Sequence, residues 1–533
     1  MSTFAPLPHQ QAALDKLKDL NSIGLMWTMG RGKTKTAIDI ATYKFSIGEI
    51  DRVLLVAPNY VHTQWVEEQL PLHCDAPYLA HAFRTSKATT YMAELRSFLR
   101  TVQSRRLGRL MIFAVHLDAF SHGSVDEYIH SFCERNKTLF IIDEASRIKN
   151  PKAKRTTKLT ALHRQYGGPA IIMTGTALAK RPADVWSLCN FLDPRIIPLN
   201  YTAFEKRHTV MMQKTYNVSG KKMTVENPID ERQWELVKRK VKEFSERGYD
   251  DIDVIHMVAQ SCNMRPEDVR FVRDREAFVR YRDVDKLKAA LSSCFSFLEP
   301  NDDVKLPPRV YRTIEFELSS EQKTLITQLK KYAVAQYGDA VLTVQNKAAL
   351  QTKALQICGG FFSPIEREGE TVPLEGPNAK LDYIMNSLDE IGEAQFLVFA
   401  AFTEEIKLLS QRIGKEVSTG SVYGSTSREE RGTLVEDFKR GKIQCLVCNP
   451  VVAGYGLNLQ NALLQYWYSR NYVTEARIQA EGRSHRIGIT ESPVYIDLTY
   501  NCQFERAVLA NNKDGQDLND YFNNSSIEQL LTI

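Results

Sequence analysis

The stretch SIGLMWTMGRGKT (22–34) decides how this chain is read. From Ile23 to Trp27 it is a short apolar run, too brief for a helix and bounded by turn formers. That pattern predicts a strand buried on both faces of a parallel sheet. Gly30 and Gly32 then let backbone amides approach an anion closely, and the helix-compatible KTAIDIATYK (35–44) adds the positive end of a helix. Lys33, after the second glycine, can reach β- and γ-phosphates, and the Thr34 hydroxyl can ligate Mg²⁺. Met29, Gly30, Arg31, Gly32, Lys33, Thr34 and Lys35 are therefore candidate nucleotide-binding positions. The strict pattern G-x-x-x-x-G-K-[ST] is broken, because Trp27 stands at the first glycine position. A bare GxGKT also suits a surface turn, but strand, loop and helix follow here in the required order.

Working outward, RVLLVAP (52–58), LMIFAV (110–115), LFIID (139–143) and AIIMTG (170–175) repeat the buried-strand pattern, with amphipathic segments between them. An α/β doubly wound unit is expected over residues 1–200. LFIIDEAS places Asp143 and Glu144 at the C-terminal end of a strand, the edge where open parallel sheets bind ligands. Phosphoryl transfer to water needs one carboxylate on Mg²⁺ and one group that orients the attacking water. Asp143 suits the first role and Glu144 the second. The bland alternative is a solvated acidic turn.

Beyond residue 200 the pattern changes. Residues 201–304 read as a helical insertion, poor in strands, in which Trp234, Val237, Val241 and Phe244 recur at helical spacing. LPPR (306–309) marks a break. Residues 305–375 read as a strand, helical sequence and a charged linker. FLVFAA (396–401), QCLVCN (444–449) and PVYIDL (493–498) then predict a second parallel-sheet domain over 376–500, followed by a helical tail over 501–533.

Composition bounds the class. The chain has 533 residues, of which 69 are Lys or Arg and 64 Asp or Glu, for a net charge of +5. That balance permits a nucleic-acid partner without demanding one. With 43% apolar and 25% charged residues, wholesale disorder is excluded. No apolar run nears the roughly 20 residues of a bilayer span, so no membrane role is expected, and the start MSTFAPLPHQ reads as no signal peptide. Nine cysteines without a regular framework point to a reducing compartment. Cys445 and Cys448 form a lone CxxC inside an apolar strand and read as buried small side chains, so no zinc is expected.

The ordered motifs resemble the Swi/Snf-like branch of the superfamily-two helicase-like ATPases, in its compact phage or bacterial form. PLPHQ (6–10) is similar to the adenine-reading motif, which makes Gln10 the base contact. MGRGKT (29–34) is the phosphate loop, and LLVAPNYVHTQWVEE (54–68) carries the next motif with Pro58 and Trp65. IIDEASRIKNPKAK (141–154) resembles the acidic motif. MTGTALAKRPADVWSLCNFLDP (173–194) resembles the coupling motif and the helix after it. In the second half, YGSTSREERGTLVEDFKRG (423–441), VAGYGLNLQNA (452–462) and RIQAEGRSHRIG (477–488) complete the set. The resemblance implies two RecA-like domains with helical insertions between them, and ATP and Mg²⁺ as cofactors, with Thr34 and Asp143 on the metal. It implies Arg483 and Arg486 as arginine fingers, Gly456 at the nucleotide, and Thr174, Gly175, Thr176, Gly454, Asn458 and Gln479 as coupling residues. Departures are Trp27 and Thr28 in place of an acidic pair, Ser146 where the family often has His, and Ala177 and Lys180 in place of Pro and Asn.

The implied function is translocation on double-stranded DNA driven by ATP hydrolysis, in a bacterial or phage-infected cytoplasm. An ATP-gated DNA clamp or strand-annealing module and an RNA helicase are the alternatives. RIKNPKAKRTTK (147–158) has six basic residues and no acid. It is either a solvated face or a phosphate-contacting path through Arg147, Lys149, Lys152 and Lys154. In 254–275, Ala259, Asn263, Val269 and Val272 are spaced as in a helix-turn-helix, which would carry Arg265, Arg270 and Arg273 toward DNA. A plain helical pair packed on the core fits the same spacing.

Overall fold

The computed structural model describes residues 5–28, 30–59, 61–85, 88–104, 108–122, 125–175, 182–218, 221–298, 307–332, 334–337, 340–343, 347–362, 371–453, 459–470, 474–486 and 489–514. The chain divides into two compact units, residues 1–28 with 33–299 and residues 29–32 with 300–533.

The strands of the first unit are β1 (Ser22–Trp27), β2 (Arg52–Ala57), β3 (Tyr78–Ala82), β4 (Leu110–His116), β5 (Thr138–Ile142), β6 (Ala170–Thr174), β7 (Met211–Val218), β8 (Lys221–Pro228) and β9 (Phe295–Leu298). Seven of them form one parallel sheet in the order β3-β4-β2-β5-β6-β1-β9. Successive residues of each central strand serve opposite faces. Leu54, Val56, Phe140 and Ile142 pack in one core, and Val53, Leu55, Leu139 and Ile141 in the other. That double burial is why these strands read as unbroken apolar runs.

β9 closes the sheet beside β1 through a close approach. A Cβ at Gly24 would lie 2.3 Å from the Phe295 ring, so only glycine lets the two strands pair here. The Trp27 indole N–H donates to Ser296 Oγ at 3.0 Å and fixes the same edge.

Between β6 and β9 helices predominate, at Tyr201–His208, Glu231–Glu246, Asp251–Cys262, Pro266–Arg273 and Val284–Leu291. Trp234, Val237 and Val241 face a separate small core with Val254, Val258, Val269 and Val272. Asp230 caps the helix Glu231–Glu246 by accepting from Gln233 N at 2.9 Å. The expectation of few strands in this stretch is corrected by the antiparallel hairpin β7–β8 and by β9, both of which rest on pairing that helical spacing does not reveal.

In the second unit β10 (Val310–Phe316) is followed by two short antiparallel pairs, β11 (Val334–Tyr337) with β12 (Ala340–Thr343) and β13 (Phe361–Phe362) with β14 (Val372–Pro373). Then come β15 (Phe396–Phe399), β16 (Thr419–Val422), β17 (Cys445–Cys448), β18 (Leu464–Trp467) and β19 (Val494–Tyr500). Six strands form a parallel sheet in the order β10-β19-β18-β15-β17-β16. Cys445 packs in the core on one face of this sheet and Cys448 in the core on the other. The two thiols therefore point apart, as an i, i+3 pair on a strand must. The fold is the expected one: two doubly wound parallel-sheet lobes of the RecA type with helical insertions. No helix among the described residues is long and apolar enough to cross a membrane.

Candidate active site

β5, β6 and β1 are neighbours in the first sheet, so the loops that leave their C-terminal ends share one edge. After β1 the chain turns through Gly30 (φ 75°) and Gly32 (φ 78°), both in the left-handed region that glycine enters without strain. The helix Lys33–Ser46 starts immediately, with Lys33 and Thr34 in its first turn. Lys33 Nζ donates to the carbonyls of Trp27 at 2.9 Å and Thr28 at 3.2 Å, folding the lysine back over its own loop. Its neighbour Lys35 is used differently. It is buried and ion-paired with Asp39 one turn on, at 2.7 Å. Gln10 is buried in the helix Pro8–Leu17, where its Oε1 accepts from Leu7 N at 2.7 Å.

At the end of β5 the acidic pair is held by neutral donors. The Trp65 indole N–H donates to Asp143 Oδ2 at 2.8 Å, and the Glu144 amide donates to Oδ1 at 2.9 Å. Glu144 itself sits at φ 56°, ψ 55°. A long side chain in the left-handed region is strained, and such strain collects at functional sites. Its Oε1 accepts from Ser146 Oγ at 2.8 Å and from Thr174 Oγ1 at 3.3 Å. Thr174 ends β6, directly before Gly175, so the expected coupling segment touches the glutamate itself. Ser146, the departure from histidine, takes part in the same clamp.

In the second lobe the helix Thr474–Ser484 carries Gln479, which is buried, and ends at Arg483 and Ser484. The helix is pinned by charge. Arg477 Nε donates to Glu481 Oε1 at 2.7 Å and its Nη1 to Asp497 Oδ1 at 2.7 Å, with the guanidinium 4.8 Å from the Trp467 ring centre. Arg470 Nε donates to the same Asp497 oxygen at 3.0 Å. Arg309 and the Tyr311 hydroxyl complete the set on Glu481 Oε2, at 3.3 and 2.7 Å. Burial works against ionising Asp497, but Arg470 and Arg477 outweigh it and hold the carboxyl below the usual range. Past the helix, Arg309 Nε donates to His485 Nδ1 at 3.2 Å, which leaves Nε2–H to donate to the Pro307 carbonyl at 2.8 Å. Burial, with Arg309 nearby, pushes His485 below its ordinary value. Arg486 Nε donates to the Gly482 carbonyl at 2.8 Å, and the Arg483 carbonyl accepts from Leu459 N at 3.1 Å. Elsewhere in this lobe Glu405 is fully buried, with Ser469 Oγ and Phe402 N donating to Oε2. Burial pushes its carboxyl up to about 7.

Two family models account for most of the chain. The SNF2-related domain matches residues 14–356 and the helicase conserved C-terminal domain matches 379–488. The chain belongs to the SNF2-related family. Similar curated proteins include the ATP-dependent helicase FUN30 of Saccharomyces cerevisiae, 21% identical across 93% of this chain and 46% of that protein. Another is a putative ATP-dependent helicase/translocase, YwqA, of Bacillus subtilis, 25% identical across 90% of this chain and 45% of its own length. The chain thus spans less than half the length of these relatives. A similar solved structure is the Sulfolobus solfataricus SWI2/SNF2 ATPase core in complex with double-stranded DNA, at 18% identity and a TM-score of 0.38, covering 99% of this chain and 97% of that one.

Within this SNF2-related chain, the structure brings Lys33, Thr34, Asp143, Glu144, Thr174 and Gly175 to one sheet edge, and places Gln479, Arg483 and Arg486 on and just beyond one helix of the second lobe. Met29, Thr176, Gly454, Gly456 and Asn458 lie outside the described residues. In the basic run, Lys149, Lys152 and Lys154 are exposed, Lys149 3.5 Å from Asp184, and Arg155 donates to the Arg147 carbonyl at 3.0 Å. The helical pair at 251–273 does turn through Asn263 in the left-handed region, at φ 52°. Two of its three arginines, however, are engaged within the chain. Arg265 pairs with Glu267 and buried Asp268, Arg273 pairs with Asp251 and Asp274, and Arg270 is exposed.

Sequence reasoning missed the groups that hold the chemistry in place. Trp65 was placed in a motif without a role, although a buried indole N–H demands an acceptor. The Arg477–Glu481 pair was visible in principle as opposite charges four apart on a helix. Asp497 and Arg470 gave no local signal.

Proposed function

We propose that this chain hydrolyses ATP and uses the energy to move along double-stranded DNA. The observation that carries the reading is the acidic pair, its two carboxylates oriented by neutral donors at the sheet edge it shares with the glycine loop. The loop amides and Lys33 bind the phosphates of ATP, and Gln10 reads the adenine. The residues present fit Mg²⁺: each Asp143 oxygen accepts one hydrogen bond and keeps a lone pair, and Thr34 adds a hydroxyl, an all-oxygen set suited to a hard cation. Bound there, Mg²⁺ would neutralise charge on the β- and γ-phosphates. Glu144, held by Ser146 and Thr174, orients the attacking water and accepts its proton. Arg483 and Arg486 supply positive charge to the phosphoryl group in the transition state. Thr174, Gly175, Thr176, Gly454, Asn458 and Gln479 pass the change in nucleotide state to the DNA-gripping surface. The exposed lysines at 149, 152 and 154, with Arg147, contact backbone phosphates without reading bases.

The test is the rate of ATP hydrolysis with no nucleic acid, single strands, duplex DNA and RNA, together with displacement of a third strand bound to the duplex. Duplex should raise the rate and the third strand should leave at a rate set by hydrolysis, both lost in Lys33→Ala. Stimulation by RNA alone, or a duplex-stimulated ATPase that displaces nothing, would overturn the reading.

A further inference from the structure

The second lobe holds a pair of thiols in contact, away from the site above. Cys358 ends the helix Lys347–Cys358, and Cys502 stands directly before the helix Gln503–Asp514, 144 residues further along the chain. Their Sγ atoms lie 3.8 Å apart in the core that Leu325, Leu355, Phe362, Tyr500 and Phe504 build. The nine cysteines are all free thiols, and no other two are in sulfur–sulfur contact among the described residues. Cys445 and Cys448, far closer in sequence, serve opposite faces of their sheet. A disulfide holds its sulfurs about 2.05 Å apart, so a closure of roughly 2 Å would join Cys358 to Cys502.

The two thiols are not equivalent. Cys358 is fully buried, whereas Cys502 is 5% exposed and lies between half-buried Asn501 and Gln503. Cys502 occupies the N-terminus of its helix, where its carbonyl accepts from Arg506 N at 3.0 Å and the helix dipole favours a thiolate. The Cys358 S–H donates to the Cys502 sulfur. That bond holds Cys502 below the ordinary thiol value and, together with burial, pushes Cys358 well above it. Beside them Lys380 and Glu505 form an ion pair at 2.5 Å, whose two charges act on Cys502 in opposite senses. Buried thiols of the first lobe show the contrast: burial pushes Cys133 up to about 12 and raises Cys189 as well. A thiol of thiolate character touching a second, resolving thiol is the arrangement of a redox-sensing cysteine. In a reducing compartment such pairs close transiently.

We propose that Cys358 and Cys502 form a reversible disulfide under peroxide, a latch tying the end of the helix Lys347–Cys358 to the start of the helix Gln503–Asp514. The Cys502 sulfur, having lost its proton, takes one oxygen of hydrogen peroxide as the O–O bond breaks. The other oxygen leaves as hydroxide and takes up that proton. The Cys358 sulfur then displaces hydroxide from the Cys502 sulfenic acid, and this hydroxide takes the Cys358 proton. Two thiols are oxidised to one disulfide, and one peroxide is reduced to two waters.

The test exposes the full chain to hydrogen peroxide without nucleotide, unfolds it, alkylates the remaining thiols, digests it without reduction and reads the peptides by mass spectrometry. A peptide pair joining Cys358 to Cys502, lighter by two hydrogens than the separate thiol peptides, should appear and should vanish after dithiothreitol. Closing so long a loop should raise one melting transition of the treated protein by roughly 5–10 °C. That rise should be absent in Cys502→Ser and in Cys358→Ala. Three results would each overturn the proposal: both thiols alkylated at a peroxide dose that oxidises half-buried Cys74, Cys502 converted to sulfinic acid without a link, or a link that moves no melting transition. The peptide map is read on wild type, so it decides even where a variant fails to fold.

Discussion

The two lobes treat charge in opposite ways. In the first, Asp143 is oriented by an indole and a backbone amide, neither of which cancels its charge, and the Ser146 and Thr174 hydroxyls donate to Glu144. In the second, Arg470 and Arg477 are buried against Asp497 and Glu481, so the cations are neutralised where they stand. Neutral tethers leave a charge available for a ligand, whereas ionic tethers consume it and yield rigidity. Arg477 thus anchors the helix, with Arg483 in its last turn and Arg486 just beyond it, bonded back to the Gly482 carbonyl.

The contrast can be broken at both ends. Arg486→Ala should lower kcat by about 10³-fold or more, the worth of an arginine finger, with the unfolding midpoint in urea unchanged. Asp497→Asn should do the reverse first. It leaves buried Arg470 without its carboxylate and Arg477 with Glu481 alone, and should cost about 3–5 kcal/mol in urea unfolding. A variant as stable as wild type would show that the cluster is not the anchor described.

Glu405 is a carboxyl that burial pushes up rather than one that an ion pair holds down. Its folded pKa of about 7 lies above the unfolded value, so its contribution is fully present below about pH 4.5 and is lost as pH rises through about 7. Wild type should therefore lose on the order of 3 kcal/mol more than Glu405→Gln between those pH values, a difference that paired urea titrations measure. Equal pH dependence in the two proteins would remove the buried acid from the account. Smallest is Trp65→Phe, which keeps the ring and removes the hydrogen bond to Asp143. It should lower kcat on the order of 10-fold with KM nearly unchanged, the signature of a positioning residue.

How much of this was legible in the sequence follows from which groups act locally. β1, β2, β4, β5, β15 and β17 are apolar on both faces and announce themselves as runs. β16 is an edge strand, TGSV, with alternate residues only half-buried. β18 is interrupted by Gln465, whose amide nitrogen donates to Ser484 Oγ inside the lobe, so no apolar run forms. The glycine loop and the acidic pair are contiguous motifs and could be read directly. Their supports could not: Trp65 lies 78 residues before Asp143 and Thr174 lies 30 after Glu144, distances only the folded sheet closes.

The seam between β1 and β9 bears on how the protein is made. The bond from Trp27 to Ser296 spans 269 residues, so the strand that leads into the phosphate loop waits for the whole insertion before its outer edge is covered. At synthesis rates of ~5–20 residues per second, that edge stands open for some tens of seconds on the ribosome. The insertion, with its own core around Trp234, can fold during the wait and deliver β9 from an already compact body. The nascent chain's exposed liability is therefore the very strand that carries its chemistry, and a polypeptide stopped short of Phe295 would present it to any partner that can add a strand.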